Sequence, residues 1–147
     1  MAKPMKIGVK VSDAMTRSPV VDSKNTPLPQ CARKMLSNNV GALIIKEGKK
    51  LIGIITEKDI VEGAVAKELN VKKTLAKDIM TTGMITIAPE ADLYKAVELM
   101  NRENVRRLPV VKNGDLIGLL TVRDLLYAQP KLYQKVHEYL VSKRVKK

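Results

Sequence analysis

At 147 residues the chain can bury about two thirds of the surface its unfolded form exposes, and its 45% hydrophobic and 29% charged residues describe a folded chain rather than a disordered one. No run approaches the roughly eighteen apolar residues of a membrane span, and the opening MAKPMKIGVKV lacks the apolar stretch of a secretory signal. A net charge of +12 suggests nucleic acid until it is located: residues 1–11 carry +3, residues 131–147 carry +5, and the body between them only +4. Any polyanion contact is thus expected mainly at the ends. A single cysteine forms no internal disulfide and fits a cytoplasmic location, and the lack of a spanning run leads to the expectation of no membrane partner.

In chain order, Asp13-Ala14-Met15-Thr16 leads to the short apolar pair Val20-Val21. Leu28, Cys31, Ala32 and Met35 fall at i, i+3, i+4 and i+7, the spacing of an amphipathic helix, with Pro27 near its first position. Cys31 lies on that apolar face, where packing in the core competes with reactivity as its role. Ala42 to Lys46 and Leu51 to Ile55 flank Glu47-Gly48-Lys49-Lys50 as a hairpin, and a helix is predicted from Glu57 to Glu68. Asn70 to Lys73 reads as a joint.

Beyond it the pattern returns. Met84-Ile85-Thr86-Ile87 is a β-rich run, and Pro89 and Glu90 open a helical segment with Leu93, Ala96, Val97 and Met100 on one face. Leu108 to Val111 and Leu116 to Leu120 flank Lys112-Asn113-Gly114-Asp115, the strongest short hairpin signal. A helix follows over Val122 to Tyr127. After Pro130, Leu132, Val136, Tyr139 and Leu140 mark one face of a basic terminal helix, which suits docking on the body, docking on a second subunit, or a nucleic-acid arm.

The two halves are an internal repeat at an offset of sixty-five residues. Asp13-Ala14-Met15-Thr16 falls on Asp78-Ile79-Met80-Thr81, and Gly53-Ile54-Ile55-Thr56-Glu57-Lys58-Asp59 on Gly118-Leu119-Leu120-Thr121-Val122-Arg123-Asp124. About thirteen of some fifty aligned positions are identical, where chance gives roughly three. A core of about 50 residues is marginal alone, so the halves are expected to pack as one two-fold object with a related pair of clefts. The expected divisions are 10–68, 74–128 and the terminal helix 130–147.

Gly-apolar-apolar-Thr-x-x-Asp at both strand-to-helix junctions has two readings. Thr56 with Asp59, and Thr121 with Asp124, form a helix capping box worth about 1 kcal/mol that needs no ligand. Alternatively, a hydroxyl, helix-start amides and the adjacent Lys58 or Arg123 suit a phosphate, while the carboxylate suits a ribose diol.

Together, the two D-x-M-T openings, Arg106-Arg107-Leu108-Pro109-Val110-Val111 and both G-x-x-T-x-x-D segments resemble a tandem pair of cystathionine-β-synthase (CBS) domains, a Bateman module, over about residues 10 to 128. The resemblance implies an α/β fold of two β-α-β-β-α repeats about a pseudo-two-fold axis. It further implies a free-standing, non-enzymatic regulatory module that binds AMP, ADP, ATP or S-adenosylmethionine between the repeats and signals to an unidentified protein. Carried over, Asp59 and Asp124 would hold ribose hydroxyls and Thr56 and Thr121 the phosphate or ribose. Val20, Val21, Met84, Ile85 and Thr86 would border the base, and Lys58, Arg106, Arg107 and Arg123 would face phosphate. The first repeat has Gly41-Ala42 and Ile44 where the second has Arg106-Arg107 and Pro109, so one site is expected to hold phosphate more tightly.

An enzyme finds little support. Cys31 and the lone His137 make no nucleophile–base pair, and no zinc-type spacing, P-loop or dinucleotide turn occurs, so no catalytic residue, metal or catalytic cofactor is expected. Exposed helices are expected to pair two copies as a homodimer. The alternatives are a non-specific nucleic-acid binder acting through the basic terminal helix and a structural dimer that binds no ligand.

Overall fold

The apolar residues at helical and strand spacing gather into two buried clusters, one in each of two compact units. The computed structural model describes residues 6–128 together with 137, 138, 141 and 142, so most of the predicted terminal helix lies outside the described residues. Of these, 18–84 and 113–116 form one unit, and 6–17, 85–112 and 117–128 the other. The units do not coincide with the sequence repeats. Each holds the body of one repeat and the D-x-M-T opening of the other.

In the first-repeat unit, β1 (Val21–Asp22) runs parallel to β2 (Ala42–Glu47), which turns into antiparallel β3 (Lys50–Thr56). The loop is two residues long, with Gly48 first at φ 61°, the backbone a tight hairpin between twisted strands requires. The helix α2 (Leu28–Asn38) has Pro29 in its first turn, where no intrahelical donor is needed, and stops at left-handed Asn39. It buries Leu28, Cys31 and Met35. Burial, reinforced by the nearby Asp22 charge, pushes the Cys31 thiol up to about 11, so it stays protonated and packs as a small apolar group.

The predicted helix from Glu57 is α3 (Glu57–Ile60), which widens into a π turn over Val61–Val65, where Ala66 N donates to Val61 O at 2.8 Å. A 3₁₀ turn, Val71–Lys73, occupies the predicted joint, and α4 (Ala76–Ile79) opens the second repeat.

In the other unit, α1 (Val11–Ala14) packs with α5 (Leu93–Glu103), β4 (Arg107–Lys112), β5 (Asp115–Thr121) and α6 (Val122–Ala128) around Val11, Leu93, Met100, Leu108 and Leu120. Asn113 and Gly114, at φ 54° and 82°, make the primed turn between β4 and β5 that the Asn-Gly pair predicts. The predicted β-run Met84–Ile87 shrinks to a single bridge at Ile87, whose amide donates to Pro109 O and whose carbonyl accepts from Val111 N. The cause is Pro109. In the first repeat the matching Ile44 N donates to Val20 O at 3.0 Å, whereas proline has no N–H to offer Ile85.

The second long helix begins later than Pro89 suggests, after its N-cap Asp92. That carboxylate accepts from the amides of Ile7 (2.9 Å), Gly8 (2.7 Å) and Tyr94 (2.9 Å), tying the N-terminal segment to α5. Burial opposes its ionisation, but the three amides together with Lys6 hold its pKa below the ordinary aspartate value. A depressed folded-state pKa gives stability that is complete above the usual aspartate range and is lost as pH falls through the folded value. Asp92→Ala should therefore destabilise the chain at neutral pH and flatten the acid side of its stability profile. Urea titrations between pH 6 and pH 3 check this, and parallel wild-type and variant profiles would contradict it.

Candidate functional site

Both Thr-x-x-Asp segments form complete capping boxes. Thr56 Oγ1 accepts from Asp59 N at 3.1 Å, while Asp59 Oδ2 accepts from Thr56 N at 2.9 Å. Thr121 Oγ1 accepts from Asp124 N at 3.2 Å, and Asp124 Oδ2 accepts from Thr121 N at 2.9 Å. An ionised carboxylate offers about four acceptor positions. The cap uses one of them, and both aspartates remain half-buried rather than sealed. Capping and ligand binding are therefore compatible at these junctions.

What lies on the remaining carboxylate oxygens comes from the exchanged openings. Thr81 Oγ1 donates to Asp59 Oδ1 at 3.2 Å, and Thr16 Oγ1 stands 3.4 and 3.5 Å from the two oxygens of Asp124. Each threonine is fixed by a reciprocal backbone pair, Thr81 with Ile54 (2.9 and 3.0 Å) and Thr16 with Leu119 (2.9 and 3.0 Å). The preceding methionine covers the junction glycine. A Cβ on Gly53 would lie 2.6 Å from Met80 Sδ, and one on Gly118 2.5 Å from Met15 Sδ. The D-x-M-T opening of one repeat is thus seated on the G-x-x-T-x-x-D segment of the other. Thr16 and Thr81 are residues that sequence reasoning missed as site members, although their recurrence beside the second motif was a signal.

The cations differ between the junctions. Val122 N donates to Arg106 O at 3.1 Å, which places Arg106 beside the start of α6 with Arg123, both exposed. The matching contact in the first repeat is Glu57 N to the carbonyl of Gly41, which carries no side chain, and Lys58 Nζ there lies 3.9 Å from Glu62. One junction therefore presents two arginines, the other a lysine with an acidic neighbour one turn away. Arg107 is half-buried at the first position of β4. Val20 and Val21 are half-buried at the edge of β2, in the unit that also holds Met84, while exposed Ile85 and Thr86 belong to the other unit.

A family model described as "CBS domain" matches this chain twice, at residues 11–65 and 76–131. The chain belongs to the CBS-domain family. Its α/β fold is that of CBS-pair proteins. The chain is 39% identical over 131 residues to an uncharacterised protein of Methanocaldococcus jannaschii, covering 89% of this chain and 68% of that one. It is 32% identical over 130 residues to inosine-5′-monophosphate dehydrogenase of Korarchaeum cryptofilum, covering 88% of this chain but 25% of the enzyme. Among solved structures, a CBS domain protein of Pyrobaculum aerophilum complexed with AMP superposes with a TM-score of 0.76 at 28% identity, covering 88% of this chain and 99% of that one. CBS-domain pairs are regulatory modules, and among the described residues no helix is long and apolar enough to cross a membrane.

Proposed function

We propose that this CBS pair is a non-catalytic sensor of adenosine nucleotides, with the Thr-x-x-Asp junctions as its ligand-binding sites and a partner protein as its output. The observation that carries this reading is the state of the two aspartates. Each spends one oxygen on its cap and keeps acceptor capacity on a half-exposed carboxylate, the group a ribose diol needs. The AMP complex of the Pyrobaculum protein supports the ligand class. The match to a quarter of a much larger dehydrogenase supports a module that accompanies catalysis rather than performs it.

Within this reading the junctions are unequal. Arg106 and Arg123 flank Thr121 and Asp124, and guanidinium groups bind phosphate oxygens bidentately. The second-repeat junction is the phosphate-preferring site, and the first-repeat junction the more permissive one. A panel of AMP, ADP, ATP and S-adenosylmethionine in a thermal-shift assay tests the whole reading. Ligand at a hundred times its Kd adds about 2.7 kcal/mol, or about 5–10 °C for a chain of this size. A flat response to all four would end it.

Pairing of two copies belongs to the same proposal. Val61 and Val65 make a short exposed apolar stripe on the π turn, 58% and 61% exposed, and Leu69, 41% exposed, follows beyond the left-handed Glu68. Such a stripe is the kind of apolar face that a symmetric partner covers. Val61→Asp together with Val65→Asp should convert a dimer to a monomer in light scattering. An unchanged mass would move the interface elsewhere.

A further inference from the structure

The carboxylates proposed to hold the ligand's sugar are already engaged by threonines that belong to the other repeat. Asp59 Oδ2 faces the Thr56 amide, so Oδ1 is the less committed oxygen, and it carries the Thr81 hydroxyl at 3.2 Å. At Asp124 the Thr16 hydroxyl is divided between Oδ1 at 3.4 Å and Oδ2 at 3.5 Å, the latter being the oxygen that also accepts from the Thr121 amide. From this we infer that Thr81 and Thr16 are built-in competitors of the sugar diol. Each hydroxyl takes up acceptor capacity that a ribose hydroxyl would use, and ligand binding at one repeat's junction removes one of the holds on the opening of the other repeat.

The chemistry favours exchange over coexistence. A hydrogen bond to a charged acceptor is worth more than a neutral one, but 3.2 Å is long for O–H···O, whose common distance is about 2.7–2.8 Å. A diol that places two donors on one carboxylate at shorter distance displaces it. Thr81 is exposed, so its side chain can rotate to water without leaving a buried group unpaired. The longer, divided contact of Thr16 makes Asp124 the easier junction to open.

Release has a structural consequence because of where these threonines stand. Thr81 closes the segment that holds Met80 over Gly53, and the chain passes into the other unit after Met84. Thr16 closes the segment that holds Met15 over Gly118, and the chain passes on after Arg17. Each opening is therefore the stretch of backbone whose hold reports occupancy of its junction. A sugar-bearing ligand loosens that hold, whereas inorganic phosphate, which has no diol, does not.

This inference rests on the nucleotide reading above, and one set of measurements separates their fates. Calorimetric titration with AMP is run on the full chain, on Thr81→Val and on Thr16→Val, which keep shape and remove the donor. Amide exchange of residues 76–84 and 11–17 is followed with AMP and with inorganic phosphate. In the wild type, AMP should speed exchange at Thr81 and Ile54, and phosphate should not. Thr81→Val should bind AMP about three- to tenfold more tightly at the first-repeat junction, the worth of one hydrogen bond no longer to be displaced, and AMP should no longer alter its exchange there. Thr16→Val should show a smaller gain at the second. If the wild type binds no AMP, the nucleotide reading fails and takes this inference with it. If the wild type binds but Thr81→Val binds equally or more weakly, the threonine is no competitor and this inference alone fails.

Discussion

Gly118→Ala should lower stability by about 1–3 kcal/mol, the usual cost of forcing a methyl group into filled space. The added Cβ would lie 2.5 Å from Met15 Sδ and 2.9 Å from Thr16 O. The thioether can swing aside, but the carbonyl cannot, because it is pinned by the Leu119 amide at 3.0 Å. Gly53→Ala meets Met80 Sδ at 2.6 Å but the Thr81 carbonyl only at 3.2 Å, so it should cost less. Met80→Ala should therefore rescue Gly53→Ala more fully than Met15→Ala rescues Gly118→Ala, a difference readable as coupling energy in paired double-mutant cycles. Equal costs at the two glycines, or a cost for Gly118→Ala within about 0.5 kcal/mol of zero, would show that the openings are not seated on the junctions as described.

The second large effect concerns the ligand. Asp124→Ala should abolish the response of the second-repeat junction to nucleotide and leave that of the first intact, halving the stoichiometry in a calorimetric titration. It also removes half of a capping box, so a loss of about 1 kcal/mol in ligand-free stability is expected beside the binding defect. Asp124→Asn separates the two, since its amide oxygen can still accept from Thr121 N while its uncharged head is a poor acceptor for two hydroxyls. It should keep most of the stability and lose most of the response. Arg106→Ala should weaken ATP more than it weakens an uncharged adenosine compound, because its role is confined to phosphate. A full nucleotide response in Asp124→Asn would remove the carboxylate from the proposed sugar contact.

Much of this architecture is legible in the sequence. The helical spacing of Leu28, Cys31 and Met35 and of Leu93, Ala96 and Met100 placed both long helices, because burying one face of a helix demands that period. The Asn113-Gly114 pair located its turn because few residues tolerate two successive positive φ angles. Capping at Thr56 and Thr121 followed from residue spacing alone, being a contact within one turn. The loss of the β-run at 84–87 was harder to see, since it depends on a donor missing from Pro109, more than twenty residues away.

What the chain's order of residues determined by itself is therefore local and periodic: two repeats, their helices and hairpins, their capped junctions, and the family to which they belong. Which opening meets which junction was decided only by tertiary structure. Thr16 and Asp124 lie 108 residues apart, and nothing in either motif specifies whether a repeat covers its own glycine or its neighbour's. The same holds for Arg106, whose place beside Arg123 comes from the Val122 amide bonding back to the start of β4. Local contacts are written in spacing because the chain between them is short. Distant ones are selected by which surfaces pack best within each unit.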